Sequence, residues 1–357
     1  MRHTRPGIRS RLFGFASRLL HGLGAFPLAS RLVNRTCLVP RVSGRWPGPR
    51  LVARPERNAQ ILVYHRVNDE RDPYFGGIPP ERFERQMAYL SSRFTVLPLS
   101  ELLNATRERA LPPNAVAVTL DDGYRDNYLQ AYPIFRRHAI PATIFLATSA
   151  IGSDRLLWHD EVFSAFRETA APALVAFGPR SIGGPLTTVP ERLHVQQLVL
   201  NELRSVSDEE RAEAVVRLRE ALRVGPSRPV PGLMLSWDEA REMSLGGIRF
   251  GSHTVSHPIL SRVGCDRARR ELEESKSIIE ERVGVKVDGF AYPNGTPADF
   301  LPETKALLRD SGYRFAVTTS PGTNDAATDM FELRRGTPWD EDLFAFGVRL
   351  LYNKWQS

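Results

Sequence analysis

Short apolar runs recur along the chain, and most are separated by stretches of helical period. Residues 60–66, 116–120, 141–147, 248–252, 286–291 and 313–319 read as strands. A short strand near 95–97 and a last one at 331–335 complete the set. Between them, residues 80–94 place Phe83, Met87 and Leu90 on one helical face, and 99–106 reads as a second helix. Residues 124–138 read as a helix that restarts at Pro133. Ser236-Trp-Asp-Glu239 is a capping box. Residues 266–283 form a helix with Arg267–Glu271 and Arg270–Glu274 at supportive spacing, and 302–311 a helix closed by Gly312.

The strand–helix rhythm breaks once. Residues 152–232 show no clear strand, but a helical pattern from 190 to 223 with Asp208-Glu-Glu-Arg as a helix start. The rest gives roughly seven strands alternating with helices, which implies a parallel sheet. The expected fold is α/β: a distorted or incomplete (β/α) barrel with a mainly helical insertion over its mouth. The expected division is an N-terminal arm and linker over 1–58, the barrel over 59–345 and a tail over 346–357.

Charge changes the picture only at the start. Net charge is +7, yet residues 1–55 hold eleven Arg and no Asp or Glu, so the excess belongs to the arm. Ile8, Leu12, Phe15, Leu19, Leu23 and Phe26 recur there at helical spacing. This suits an amphipathic helix over 1–35 lying on an anionic membrane surface. A helix packed on the barrel with its arginines solvated fits equally. No nucleic-acid motif accompanies the charge, so no nucleic-acid partner is expected. The apolar stretch 19–30 is broken by His21, Gly22, Gly24 and Pro27, which favours a cytoplasmic protein over an exported one without excluding export. Two cysteines, Cys37 and Cys265, imply neither a disulfide framework nor a thiolate metal site.

Candidate chemistry sits at strand ends. The 116–120 run stops at Asp121-Asp122-Gly123. Asp-Gly alone is a common turn, but a strand that delivers two carboxylates to its C-terminal end is also where βα folds place chemistry. Adjacent strand residues point to opposite faces, so the pair suits two separate jobs, one holding a metal and one handling a proton. The 248–252 run stops at Ser252-His-Thr-Val-Ser-His257. His253 and His257 are four apart, and one helical turn would bring both imidazoles to one side. Asp122, His253 and His257 would then form a three-ligand site with positions left open, favouring Zn²⁺ with Co²⁺, Ni²⁺ or Fe²⁺ as alternatives.

Thr119-Leu-Asp-Asp-Gly123 resembles the T-F-D-D-G motif of the polysaccharide deacetylase (NodB-homology, carbohydrate esterase 4) family. Ser252 to His257 resembles its H-S/T-x-x-H motif, and Phe290-Ala-Tyr-Pro-Asn-Gly295 a variant of its R-x-P-Y motif. The resemblance implies a distorted (β/α)7 barrel, a divalent metal and removal of N-acetyl or O-acetyl groups from a polysaccharide or lipid-linked sugar. It casts Asp121 as general base and the turn Tyr292, Pro293, Asn294 as the oxyanion-binding segment, through the backbone N–H that follows Pro293.

Two positions depart from the family. Its base-orienting Arg is Ala291 here, and no His follows His257 to act as general acid. Arg335, on the last expected strand, is the candidate replacement for the first. His65, in Tyr64-His65-Arg66 at the end of the first strand, is the candidate for the second. A Tyr-His pair near the domain start resembles the branch that acts on poly-N-acetylglucosamine. His159, which opens the insertion beside Trp158 and Asp160, is its rival, although insertion core and a capping carboxylate are the plainer reading of those three residues. Two other functions stay open on the sequence: an amidase on a small non-carbohydrate amide, and a degenerate glycan-binding or assembly protein.

Overall fold

The computed structural model describes residues 58–338 and 342–355. The basic arm, with the membrane-surface helix expected over 1–35, lies outside the described residues. The described chain opens with β1 (Gln60–Tyr64), α1 (Pro80–Arg93), β2 (Thr95–Val96), α2 (Leu99–Arg107) and β3 (Ala115–Leu120). A π-helical turn (Asn127–Ala131) then runs into α3 (Tyr132–His138), followed by β4 (Ala142–Leu146). The insertion holds α4 (Trp158–Glu168), β5 (Ala173–Phe177), β6 (Ile182–Pro185), α5 (Val189–Leu203) and α6 (Asp208–Ala221). After it come α7 (Trp237–Leu245), β7 (Arg249–Ser252), α8 (Cys265–Val283), β8 (Gly289–Ala291), α9 (Pro302–Asp310), β9 (Phe315–Val317) and α10 (Leu343–Trp355).

Strands β1, β3, β4, β7, β8 and β9 lie side by side in that order, all parallel, and β2 pairs with the start of β3. Both faces are covered, which is why β1, β3, β4, β8 and β9 are buried along their whole length rather than alternating. Leu62, Val118, Ile144 and Phe290 face the helical layer. Ile61, Ala117, Phe145, Ala291 and Val317 face inward and pack with Leu99, Leu102 and Leu103 of α2. Gly251 is required inside: a Cβ there would stand 2.5 Å from the Phe145 ring.

The last expected strand, 331–335, forms two isolated bridges instead of a ladder. Leu333 pairs with Val317 of β9, and Gly336 with Leu62 of β1. Between them the Arg334 N–H is taken by the Asn324 side chain at 2.8 Å, and the Arg335 N–H by the Ser320 carbonyl at 3.0 Å. These diversions interrupt strand pairing but still bring the segment against both β9 and β1. It thereby closes the six-strand ladder into a distorted (β/α)7 barrel.

The insertion departs from expectation in one element. It contains an antiparallel hairpin, β5–β6, where no strand was expected. Ile182–Pro185 reads Ile-Gly-Gly-Pro and Val175 is 91% exposed, so neither strand carries an alternating pattern. The 190–223 helical pattern splits into α5 and α6, with Ser207 and Glu210 closing a reciprocal capping box at the break. Val162, Phe166, Leu174, Val199 and Leu218 give the insertion its own apolar cluster. At the far end, α10 crosses the boundary expected between barrel and tail and buries Phe346 and Leu350 in the main core. No described helix is long and apolar enough to cross a membrane.

Candidate active site

β3 carries its inward alternation through Ala117 and Thr119 to Asp121, whose N–H is bonded to the Tyr64 carbonyl at 3.0 Å. Asp121 is buried, and the Arg335 guanidinium grips both of its oxygens, Nη1 to Oδ1 at 2.8 Å and Nη2 to Oδ2 at 2.7 Å. Arg335 is itself fixed by Nε donating to the Thr318 carbonyl at 2.7 Å. Burial pushes the Asp121 carboxyl up, but the charge and hydrogen bonds of Arg335 outweigh it and hold the group below the usual carboxylate range.

Asp122 adopts φ +74° and Gly123 φ +86°, so the strand alternation ends in a left-handed turn. That turn keeps both carboxylates at one mouth, where His65 and His253 act electrostatically on each. Asp121 faces Arg335, and Asp122 faces imidazoles.

His253 and His257 do meet, but not through a helical turn. They flank a loop in which Thr254 (φ +70°) and His257 (φ +58°) are left-handed. Glu271 of α8 shapes that loop by accepting the N–H groups of Val255 (2.8 Å) and Ser256 (2.9 Å) and the Ser256 hydroxyl (2.6 Å). The His257 N–H is bonded to Thr254 Oγ1 at 3.0 Å. The imidazole centroids end 4.8 Å apart, with Nε2 of His253 and of His257 3.4 and 3.5 Å from Asp122 Oδ1.

Asp122, His253 and His257 each offer one ligand atom, all within 4.8 Å of one another and all buried. Asp122 Oδ1 and His257 Nδ1 are buried without a hydrogen-bond partner. His253 Nδ1 lies 2.6 Å from the Ala291 carbonyl, which orients the ring and leaves Nε2 toward Asp122. Burial, with His253 adjacent, pushes His257 well below the ordinary imidazole range, so it is held neutral as a ligand must be. Burial pulls His253 down, but the Asp122 carboxylate outweighs it and raises the group, so the site favours one positive charge beside Asp122. Two imidazoles, one carboxylate and two orphaned buried atoms fit a divalent cation.

Other candidates divide at the mouth. His65 follows β1, and its ring has no side-chain hydrogen bond among the described residues. Its backbone is held by Asn127 Nδ2 donating to its carbonyl at 2.8 Å. Asp126 fixes the next residues, accepting from Arg66 Nε (2.8 Å), Val67 N (3.1 Å) and Asn68 Nδ2 (2.8 Å). In the segment Tyr292, Pro293, Asn294, the tyrosine side chain is turned away from the mouth. Along β8, Ala291 faces inward, so Tyr292 faces the helical layer, stacks on Phe300 at 4.0 Å and donates its hydroxyl to the Phe331 carbonyl. After Pro293 the chain turns left-handed at Asn294 (φ +57°), whose N–H makes no hydrogen bond among the described residues. His159 does reach the site, its ring centroid 4.9 Å from that of His257, while Asp160 caps α4 as the plainer reading had it.

Sequence reasoning missed Asp126, Asn127, Glu271 and Tyr124 as supports of the site. The first two lie within the 124–138 segment, where the sequence marks them only as helix residues. Glu271 was visible only as a helix partner of Arg267.

The sequence pattern of the polysaccharide deacetylase family matches residues 108–316, more than half of the chain. The chain belongs to the polysaccharide deacetylase family. The family's members are hydrolases acting on carbon–nitrogen bonds. YxkH of Bacillus subtilis (strain 168), whose name places it provisionally among polysaccharide deacetylases, is 21% identical over 77% of this chain and 69% of its own length. The poly-beta-1,6-N-acetyl-D-glucosamine N-deacetylase of Staphylococcus aureus (strain MSSA476) is 28% identical over 120 residues, 30% of this chain and 41% of that protein. Among solved structures, IcaB from Ammonifex degensii shares the fold at TM-score 0.54 and 19% identity, over 84% of this chain and 97% of that one. The Streptococcus pyogenes deacetylase PplD does so at TM-score 0.52 and 19% identity, over 78% and 92%.

In this polysaccharide deacetylase Ala291 of β8 offers Asp121 no charged partner, and an arginine reaches it from elsewhere in the barrel. Arg335 arrives from the barrel-closing segment and makes the bidentate contact with Asp121.

Proposed function

We propose that this protein is a metal-dependent deacetylase that removes N-acetyl groups from a glycan, a polysaccharide or a lipid-linked sugar. One observation carries the reading: the Arg335–Asp121 pair stands next in sequence to Asp122, the carboxylate of the Asp122–His253–His257 cluster. A degenerate site has no need to rebuild the arginine contact from another strand. The likeness to the Staphylococcus aureus enzyme supports an N-acetylglucosamine polymer as the substrate class.

Asp122, His253 and His257 would hold the cation, with Zn²⁺ favoured by two imidazoles and one carboxylate. Bound there, a divalent cation supplies a water nucleophile near neutral pH and Lewis-acid polarisation of the acyl oxygen. Asp121, kept ionised and oriented by Arg335, accepts the proton of the attacking water. The Asn294 N–H, which follows Pro293 and makes no hydrogen bond among the described residues, would stabilise charge on the acyl oxygen. His65 gives a proton to the departing amine, so that the carbon–nitrogen bond breaks to acetate and a free amino sugar.

The test is acetate release by purified protein, loaded in turn with Zn²⁺, Co²⁺, Ni²⁺ and Fe²⁺, on acetylated glycans and lipid-linked sugars. Chelator-sensitive release on a glycan is the expected result. Release only from small non-carbohydrate amides would redirect the reading to an amidase.

A further inference from the structure

The insertion does more than cover the barrel. Its first helix, α4, opens with Trp158, His159 and Asp160, and sets His159 against the metal-ligand cluster. We propose that His159 is a substrate-reading residue, presenting Nδ1 as a fixed hydrogen-bond acceptor to a hydroxyl of the sugar whose acyl group is removed. This rests on the deacetylase reading above.

The argument starts from counting protons. Tyr124 has one hydroxyl proton, and its oxygen lies 2.9 Å from Asp160 Oδ1 and 3.0 Å from His159 Nε2. Asp160 also accepts the Leu157 N–H at 3.2 Å on its other oxygen, so it faces donors on both. The tyrosine proton goes to Asp160 Oδ1, as the Leu157 N–H goes to Oδ2. The tyrosine oxygen must then accept from His159 Nε2. His159 Nε2 is thereby committed to Tyr124, and Nδ1 is the ring nitrogen left to face a substrate.

Nδ1 has no partner among the described residues and is not among their buried orphaned atoms, and the side chain keeps 12% of its surface exposed. The ring cannot readily turn away. It packs edge-on to Trp158 (5.6 Å) and Phe75 (6.1 Å), and tilted against Phe163 (5.7 Å). Its fourth neighbour is His257, a candidate metal ligand, at 4.9 Å. A sugar whose acyl group sits at the cluster therefore has this ring beside it. A hydroxyl is the donor that every pyranose offers a bare imidazole nitrogen.

The test compares two substrates on the metal-loaded full chain: a tetramer of N-acetylglucosamine and 4-nitrophenyl acetate, which carries no sugar. His159→Phe keeps the ring packing and deletes both nitrogens, and His159→Gln restores an acceptor oxygen. The tetramer-to-ester ratio of kcat/KM should fall about tenfold or more in His159→Phe, the scale of one lost hydrogen bond in a buried site, and recover in His159→Gln. An unaltered ratio in His159→Phe, or a ratio not rescued by Gln, overturns the proposal while leaving the deacetylase reading in place. A wild-type protein that releases acetate from neither substrate overturns both.

Discussion

Arg335 and Asp121 are 214 residues apart in sequence and meet in a buried bidentate ion pair at 2.8 and 2.7 Å. Removing one member leaves a charge stranded in the barrel. Such a loss costs about 3–5 kcal/mol, against a small or even negative gain from the intact pair. Arg335→Met should therefore lower the unfolding free energy on that scale in denaturant titration and abolish acetate release. Arg335→Lys keeps the charge but offers a point donor where two carboxylate oxygens, Thr318 and Thr119 are met by a planar fork. It should remain folded and lose about tenfold or more in turnover. A fully active Arg335→Lys protein would remove the case for a fixed orientation of Asp121.

The ligand cluster makes a direct prediction about metal content. Asp122→Ala, His253→Ala and His257→Ala should each come out of purification with less than one metal per chain, and chelation of the wild type should stop turnover reversibly. Asp121→Asn, in contrast, should hold metal and be inactive. Elemental analysis beside acetate assays separates the two classes. Stoichiometric metal in all three ligand variants would show that the site is elsewhere.

Glu271 extends the argument one layer outward. Its carboxylate accepts three hydrogen bonds from the loop that carries both histidines, including two backbone N–H groups. Left-handed backbone at Thr254 and His257 is strained for residues with side chains, and Glu271 helps hold the intervening turn. Glu271→Ala should weaken metal binding by about 10–100-fold, the usual scale for a group that orients ligands, with Glu271→Gln in between. Competition with a chelator of known affinity reads this directly. Equal affinities in all three proteins would make Glu271 a helix residue only.

What the sequence disclosed follows from burial. β3 is covered on both faces, so it appears as a dense apolar run and the two carboxylates that end it stand out, whereas β7 is a short Arg-Phe-Gly-Ser marked mainly by the histidines after it. Arg335 was legible as a strand-end arginine because its segment closes the barrel beside β1, yet the pairing with Asp121 depends on which strands become neighbours. The histidine loop was not legible. Nothing in Ser-His-Thr-Val-Ser-His marks Thr254 and His257 as left-handed, because Glu271 imposes that shape from α8. The β5–β6 hairpin was hidden for the opposite reason: it is largely exposed, and its second strand is rich in glycine. In α10, Leu343, Phe346 and Leu350 do follow helical spacing, but so short a stretch at the chain end reads equally as a tail.

The last prediction concerns the general acid, for which the mouth offers two imidazoles. An amine departs poorly unless protonated, and a neighbouring imidazole is the usual donor. His159 has its Nε2 committed to the Tyr124 oxygen at 3.0 Å, in a ring wedged among aromatic neighbours. His65 has no such commitment: Asn127 holds its backbone, Asp126 holds the residues after it, and the ring carries no side-chain hydrogen bond among the described residues. It also stands close enough to act on the charges of both Asp121 and Asp122. His65→Ala should cut turnover on an acetylated glycan by about 10²–10⁴-fold while leaving metal content intact. Its effect should shrink on 4-nitrophenyl acetate, whose phenolate leaves without a proton. His159→Phe should show a smaller loss on the glycan than His65→Ala. If the order is reversed, or if His65→Ala loses as much on the activated ester as on the glycan, the acid is not His65.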